Sequence, residues 1–159
     1  MLFSTYTTVV FDMPEQAKTK AREYFNTSYN CAQSVLSALL EKKKRYFKEA
    51  PYLAAGFGGG IGHEGQTCGA VSGAIMAIGV LAAQRTSDVR EHKKLTYELT
   101  ARFLKEFREK RGTTICRELI GFDVGDAQAR AEAEKKGVFQ EVCSHLVEDA
   151  VGIVLAMFP

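Results

Sequence analysis

A nearly uninterrupted apolar run from Cys68 to Ala83 places the strongest constraint on the fold. Its 16 positions fall short of the ~20 residues that a membrane-spanning helix needs, so the run is typical of a buried helix inside a folded domain. Gly69, Gly73 and Ala77 recur every four residues and give this helix one smooth side. A neighbouring backbone can approach such a side closely, which predicts tight helix packing here.

Apolar residues also recur at helical spacing on both sides of this run. Asn30 and Gln33 have the spacing of a capping box and precede one such stripe. We therefore predict an all-α fold, an irregular bundle of about six or seven helices around a central small-residue-rich helix. The stripes consist of Ala32, Val35, Leu36, Leu39 and Leu40; of Leu95, Leu99, Phe103 and Phe107; and of Phe139, Val142, Cys143, Leu146, Val147, Ala150, Val151, Val154 and Leu155.

Several residues predict where helices begin and end. Pro14 suits the first turn of the first helix, Thr67 is the expected N-cap of the central helix, and Ser87 is the expected N-cap of a long amphipathic helix. Asp126 begins a charged, exposed helix that Gly137 ends. The β-branched and aromatic residues 1–12 predict a short extended arm. The chain of 159 residues is expected to form one domain, 1–159.

The charge balance bears on possible partners, and the first residues of the chain bear on where the protein is located. The chain carries 21 basic and 19 acidic side chains, a net charge of +2, so no large cationic field is available for nucleic acid or an anionic membrane. The segment Met1–Tyr6 lacks a basic region followed by a long apolar stretch, so no secretory signal is expected. We expect a cytoplasmic protein. The basic run Lys42–Arg45 is interpreted as a solvated helix end.

The four cysteines are the residues best suited to chemistry. Cys31, Cys68, Cys116 and Cys143 are far apart in sequence and form no CxxC motif, so only the fold can gather them into one site. In a reducing compartment, metal binding, redox chemistry or core packing explains four cysteines better than permanent disulfides do. Inert packing in the core stays open on this evidence, because free cysteine is among the most buried residue types.

Three of these cysteines fall at predicted helix starts. Cys31, Cys68 and Cys116 each lie in a first turn, where unpaired N–H groups and the positive end of the helix dipole stabilise a thiolate. Converging helix starts would suit a thiolate-bound metal or an iron–sulfur cluster, both of which carry negative charge. Cys143 lies on the apolar side of the last helix.

The glycine-rich loop before Cys68 is interpreted as a steric feature. The segment Gly60–Gly65 matches GxGxxG, but no strand precedes it and no βαβ unit follows, so a dinucleotide site is not favoured. The longer phosphate-loop match has Gln66 where lysine is needed. The glycines are expected to let the main chain wrap closely beside Cys68. His63 is interpreted first as a solvent-exposed loop histidine, with the supply of a proton or a supporting hydrogen bond to the site as the alternative.

The cysteine arrangement resembles a family of redox-active proteins named for the pattern C_GCAxxG_C_C. Cys31 matches the first cysteine, the segment Cys68–Gly73 the central motif, and Cys116 and Cys143 the final pair. The central motif reads Cys-Gly-Ala here, where the pattern has Gly-Cys-Ala. The resemblance implies a small redox protein, similar to the domain beside haem in split-Soret cytochromes, with an iron–sulfur cluster as the expected occupant.

We therefore expect one redox-active site for electron transfer with a redox protein partner. Its cofactor is expected to be an iron–sulfur cluster, of the [2Fe–2S] type, with zinc as the alternative metal. The expected metal ligands are Cys31, Cys68, Cys116 and Cys143, and the residues expected to border the cofactor are Thr67, Gly69, Gly73 and His63.

Two other functions stay open. In a thiol–disulfide exchanger, Cys68 would attack from the glycine-rich loop and a second cysteine would resolve the mixed disulfide. In a structural protein, the cysteines would form a Cys₄ zinc site or simply pack within a helical interaction module. A homodimer is compatible with each of these functions.

Overall fold

The computed structural model describes residues 13–159, and within them the protein is all-helical with no β-strand. The predicted fold class is confirmed, with eight α-helices in this part of the chain rather than six or seven. The expected arm, residues 1–12, lies outside the described residues. The helices are α1 Met13–Thr27, α2 Cys31–Lys42, α3 Ala50–Ala54, α4 Gly69–Ala82, α5 Val89–Arg111, α6 Cys116–Ile120, α7 Ala127–Lys135 and α8 Ser144–Met157.

Helix α4 occupies the centre of the bundle, as its small-residue composition predicts. It packs against α2, α5 and α8, while α1 packs across α2 and α8. The main core combines the apolar stripes of these helices, and Phe103 and Phe107 of α5 are fully buried in it. No helix formed by residues 13–159 combines the length and the apolar character needed to cross a bilayer.

The contact between α2 and α4 is unusually close because glycines remove side chains from it. A Cβ atom on Gly73 would lie 3.1 Å from the carbonyl carbon of Ala32 and would collide with the Ala32 carbonyl oxygen. A Cβ atom on Gly69 would lie 2.8 Å from the carbonyl oxygen of Phe57 and would overlap the sulfur of Cys31. The smooth side predicted for the central helix is therefore the side that receives α2.

Two helix starts agree with the sequence and two differ. The capping box of α2 is present, since Asn30 accepts from the Gln33 N–H, and Asp126 is the N-cap of α7. The prediction of Thr67 as N-cap of α4 is wrong, because Cys68 is the N-cap, with φ −53° and ψ 133° outside the helical region. The prediction of Ser87 is also wrong, since the Asp88 carboxylate accepts from two N–H groups of the first turn of α5.

Substitution of Gly73 tests the importance of the close approach of α2 to α4. We expect Gly73→Ala to lower the free energy of unfolding by about 1–3 kcal/mol, because the added methyl group meets the main chain of Ala32 rather than a movable side chain. The matched control is Gly79→Ala in the same helix, where a Cβ atom would meet nothing within 4 Å. That variant should be unchanged or more stable by up to about 1 kcal/mol. Urea denaturation measures both, and equal losses would contradict the packing argument.

Candidate functional site

All four cysteines border one cavity of about 530 Å³. They reach it from the starts of α2, α4 and α6 and from the turn that precedes α8. The cavity is mostly apolar, with charged side chains from α7 at its edge. Its other lining residues are Phe25, Asn30, Gly59, His63, Ile120, Val124, Ala127, Arg130, Ala131, Glu134, Phe139 and Leu146.

Cys31 opens helix α2 directly after its capping residue. Burial raises the pKa of the Cys31 thiol, and main-chain N–H groups of Gly59, Ala32 and Gly69 act in the opposite direction by hydrogen bonding to the sulfur. These three groups come from the glycine-rich loop, α2 and α4. The Cys31 sulfur therefore lies where three chain segments present N–H groups, which is the environment that stabilises a thiolate bound to a metal.

Cys68 lies at the entrance of α4 and is only 4% exposed. Burial raises the pKa of its thiol well above the ordinary value, with a further increase from the nearby Cys31 and a partial decrease from the N–H groups of Ala70 and Val71. The thiol–disulfide alternative requires an accessible Cys68, and the burial of this thiol does not favour that alternative. The helix start and the chain before α6 enclose it, since the Cys68 N–H donates to the Thr114 carbonyl at 2.8 Å.

A short antiparallel bridge aligns the starts of α4 and α6. The Cys68 N–H donates to Thr114 on one side of this bridge, and the Cys116 N–H donates to the Gln66 carbonyl at 2.7 Å on the other. Gly60 makes room for Cys116, because a Cβ atom on this residue would lie 2.6 Å from the Cys116 Cβ. Its φ of +70° also favours glycine. The loop therefore wraps Cys116 as well as Cys31, and not Cys68 alone.

Arg117 fastens the glycine-rich loop to α6. Its Nε donates to the Gly65 carbonyl at 3.2 Å and its Nη2 donates to the Glu64 carbonyl at 2.5 Å. The guanidinium charge also lowers the pKa of the neighbouring Cys116 thiol, but burial and the nearby Cys31 outweigh it and raise that pKa to about 11. Sequence analysis missed Arg117, since nothing local distinguishes it from other charged residues beside a cysteine.

Cys143 ends a π-helical turn, Phe139–Cys143, that leads into α8. The sequence periodicity predicts one continuous α-helix here, and the structure corrects its first five residues. Cys143 is half-buried, and the pKa of its thiol is raised by burial and by the nearby Cys31 and Cys116. Unlike Cys31 and Cys68, it receives no main-chain N–H group that lowers its pKa.

The four cysteines divide between two packing units. Cys68 belongs to the main core, and Cys31 packs against that core. Cys116 belongs to a second, smaller apolar cluster with Ile120 and Val124, and Cys143 packs against this cluster. The cavity lies between the two units, so each unit supplies two thiols. Within residues 13–159, no three His, Cys, Asp or Glu side chains are arranged to hold a single metal ion.

The other residues expected near a cofactor have different positions. His63 is exposed and borders the cavity, and Gly69 contacts Cys31. Thr67 and Gly73 are not among the cavity residues, and Gly73 instead packs against α2.

No sequence pattern predicts that α7 borders the cavity. Arg130 and Glu134 have the four-residue spacing of one helix face, but their charged surroundings suggested only an exposed helix. Arg130 is half-buried and donates to the Val124 carbonyl at 2.7 Å, which ties α7 to the second apolar cluster. Ala133 is the one buried residue of this helix.

Residues 13–159 form a helical bundle with four free thiols around one cavity. Residues 29–157 match the family described as "Putative redox-active protein (C_GCAxxG_C_C)", and the chain belongs to this family. The chain is also 29% identical over 150 residues to an "Uncharacterized protein" of Archaeoglobus fulgidus, covering 89% of this chain and 93% of the archaeal one. No solved structure matches the chain.

The raised thiol pKa values predict that the reduced, metal-free protein loses stability at alkaline pH. An unperturbed cysteine titrates near 9.0, whereas Cys116 titrates at about 11 in the fold. A pKa that is higher in the folded state contributes stability below the unfolded pKa, and that stability is lost as the pH rises through the folded pKa. We expect Cys116 alone to account for a loss on the order of 2 kcal/mol between pH 9 and 11.

Urea denaturation at pH 7, 9 and 11 under anaerobic, reducing conditions measures this loss. Cys116→Ala is the matched control, because it removes one raised thiol and leaves the lysine and tyrosine titrations in place. Its unfolding free energy should fall less steeply with pH than that of the unchanged protein. Parallel curves for the two proteins would contradict the assignment.

Proposed function

We propose that this protein is an electron carrier whose four cysteines bind one iron–sulfur cluster. The observation that carries the proposal is the convergence of four distant thiols on one cavity of about 530 Å³. Membership of a redox-active family supports a redox role. We expect the bound cluster to supply one-electron chemistry, for which the protein provides ligands, N–H groups and shielding from water.

The donor set fits a cluster better than it fits a single ion. Thiolates are the ordinary ligands of iron–sulfur clusters, and hydrogen bonds to the sulfurs tune their potentials. Main-chain N–H groups already act on Cys31 and Cys68. A cluster spreads its ligands over more than one iron, whereas tetrahedral zinc needs all four sulfurs around one point.

The division into two packing units favours the [2Fe–2S] type. Such a cluster takes four cysteines shared between two irons. The main core supplies Cys31 and Cys68, and the second apolar cluster supplies Cys116 and Cys143. Each unit would then provide the two thiolates of one iron. Binding would join the two units across the cavity.

The protonation state of the four thiols agrees with a metal-binding role more than with thiol–disulfide exchange. An exchanging cysteine needs a thiolate near neutral pH, but all four thiols have raised pKa values and are neutral there. Cys68, the expected attacking thiol, is buried. Metal binding instead removes the thiol protons at the moment of ligation, so we expect loading to strengthen as the pH rises.

Anaerobic reconstitution with ferrous iron and sulfide tests the proposal. We expect visible absorption, about two iron and two sulfide per chain for a [2Fe–2S] cluster, and an electron paramagnetic resonance signal on one-electron reduction. Single Cys→Ala substitutions at Cys31, Cys68, Cys116 and Cys143 should each abolish or strongly reduce stable loading. His145→Gln is the control, because this histidine is exposed and pairs with Glu148.

Two outcomes would overturn the proposal. One is a folded protein that binds iron and sulfide no better than its quadruple Cys→Ala variant. The other is rapid alkylation of a single thiol at neutral pH together with a reversible disulfide, which is the behaviour of an exchanger. Stoichiometric zinc whose removal unfolds the domain would indicate the structural alternative.

A further inference from the structure

We propose that the exposed surface of residues 44–53 is the docking site for an acidic redox protein. The electron-transfer role of this surface rests on the proposed function, whereas the binding itself can be measured without a cluster. The docking patch consists of Lys44, Arg45, Tyr46, Phe47, Lys48, Tyr52 and Leu53, from the end of α2 to α3.

The patch concentrates exposed apolar side chains. In the part of the chain from 13 to 159, seven large hydrophobic residues are exposed, and four of them lie between positions 46 and 53. Tyr52 and Leu53 are 78% and 62% exposed. Tyr46 lies near Tyr52: burial, Tyr29, Glu41 and Tyr52, in that order, raise the pKa of Tyr46. Single exposed apolar residues are ordinary, but a grouped set of this kind is typical of an interaction site.

The patch also carries the positive charge of the protein. Residues 44–53 contain three basic side chains and one acidic side chain, a net charge of +2, which equals the net charge of the whole chain. The acidic side chain, Glu49, pairs with Lys48 at 3.5 Å in an exposed position. Lys44 and Arg45 are exposed beside the aromatic residues.

This combination of charge and apolar area fits an acidic protein surface. Complementary charges steer a partner to the patch, and the apolar centre supplies the contact that holds it. A nucleic acid would require a wider cationic surface, and outside residues 44–53 the chain has a net charge of 0. Transient electron-transfer complexes use small interfaces, below about 1,200 Å².

The patch is fastened to the residues on both sides of Cys31. The Asn30 Nδ2 donates to the Ala55 carbonyl at 2.8 Å, and the Gln33 Nε2 donates to the Pro51 carbonyl at 2.9 Å. Asn30 and Gln33 are also the capping box of α2. The short helix that presents Tyr52 and Leu53 is therefore held against the helix start that bears a cavity thiol. A partner docked there would contact a helix that is hydrogen-bonded to the helix start bearing Cys31.

Nuclear magnetic resonance titration of the isotope-labelled, cluster-free protein tests the docking patch. The probe is a purified acidic [2Fe–2S] ferredoxin, and a basic cytochrome c serves as the opposite-charge probe. We expect ferredoxin to shift the amide signals of residues 44–53 and cytochrome c to leave them unchanged. Raising the salt from about 50 to about 200 mM should weaken the ferredoxin complex several-fold.

Two sets of variants distinguish the contribution of charge to ferredoxin binding from the contribution of apolar contact. Arg45→Glu with Lys48→Glu should weaken ferredoxin binding about tenfold, and the matched reversal Lys93→Glu with Lys94→Glu, on exposed α5 positions, should not. Leu53→Ser should weaken binding several-fold at both salt concentrations, whereas Val89→Ser, also an exposed apolar position, should not. Thermal unfolding of each variant checks that the fold is retained.

The outcomes distinguish this proposal from the proposed function. Absent shifts at 44–53, or equal weakening by the two charge reversals, would overturn the docking site. Stronger shifts of these amides with duplex DNA or with phosphatidylglycerol vesicles than with ferredoxin would also overturn it, in favour of a nucleic-acid or membrane surface. Ferredoxin binding by a chain that fails cluster reconstitution would retain the docking site and reject the cluster.

Discussion

The close contact between α2 and α4 is the constraint on which the rest of the structure depends. Gly69 has no side chain where the sulfur of Cys31 lies, and its own N–H group acts on that sulfur. Four residues later Gly73 admits the main chain of Ala32. The same pair of glycines therefore brings two helices together and places a thiol against a helix start. A side chain at either glycine would disturb the core and the site at once.

The cavity reflects a balance between burial and hydrogen bonding. Burial makes thiolates unfavourable, and it is the largest influence on the pKa of every cysteine. Main-chain N–H groups offset part of that cost at Cys31 and Cys68. The Arg117 guanidinium does so at Cys116. The four thiols are therefore neutral at neutral pH, and the polar groups beside them gain importance once the thiols ionise.

Local sequence signals predicted the all-helical class and the positions of Cys31 and Cys116 at helix starts. The capping box at Asn30 and the glycine that follows α7, Gly137 with φ +73°, depend on neighbouring residues only. The wrong cap at Thr67 has a non-local cause, since this residue forms the antiparallel bridge to Ile115. The role of Arg117 could not be predicted for the same reason, because the carbonyl groups that it contacts lie more than 50 positions earlier in the chain.

The sequence by itself determined the all-helical class, the central small-residue helix and the placement of Cys31 and Cys116 at helix starts. These features follow from periodicity, capping chemistry and the absence of side chains on glycine. Only the tertiary structure decided that two packing units each contribute two thiols to one cavity, and that α7 borders it. Contacts between residues tens of positions apart depend on how whole helices pack, and no pattern within one segment encodes that arrangement.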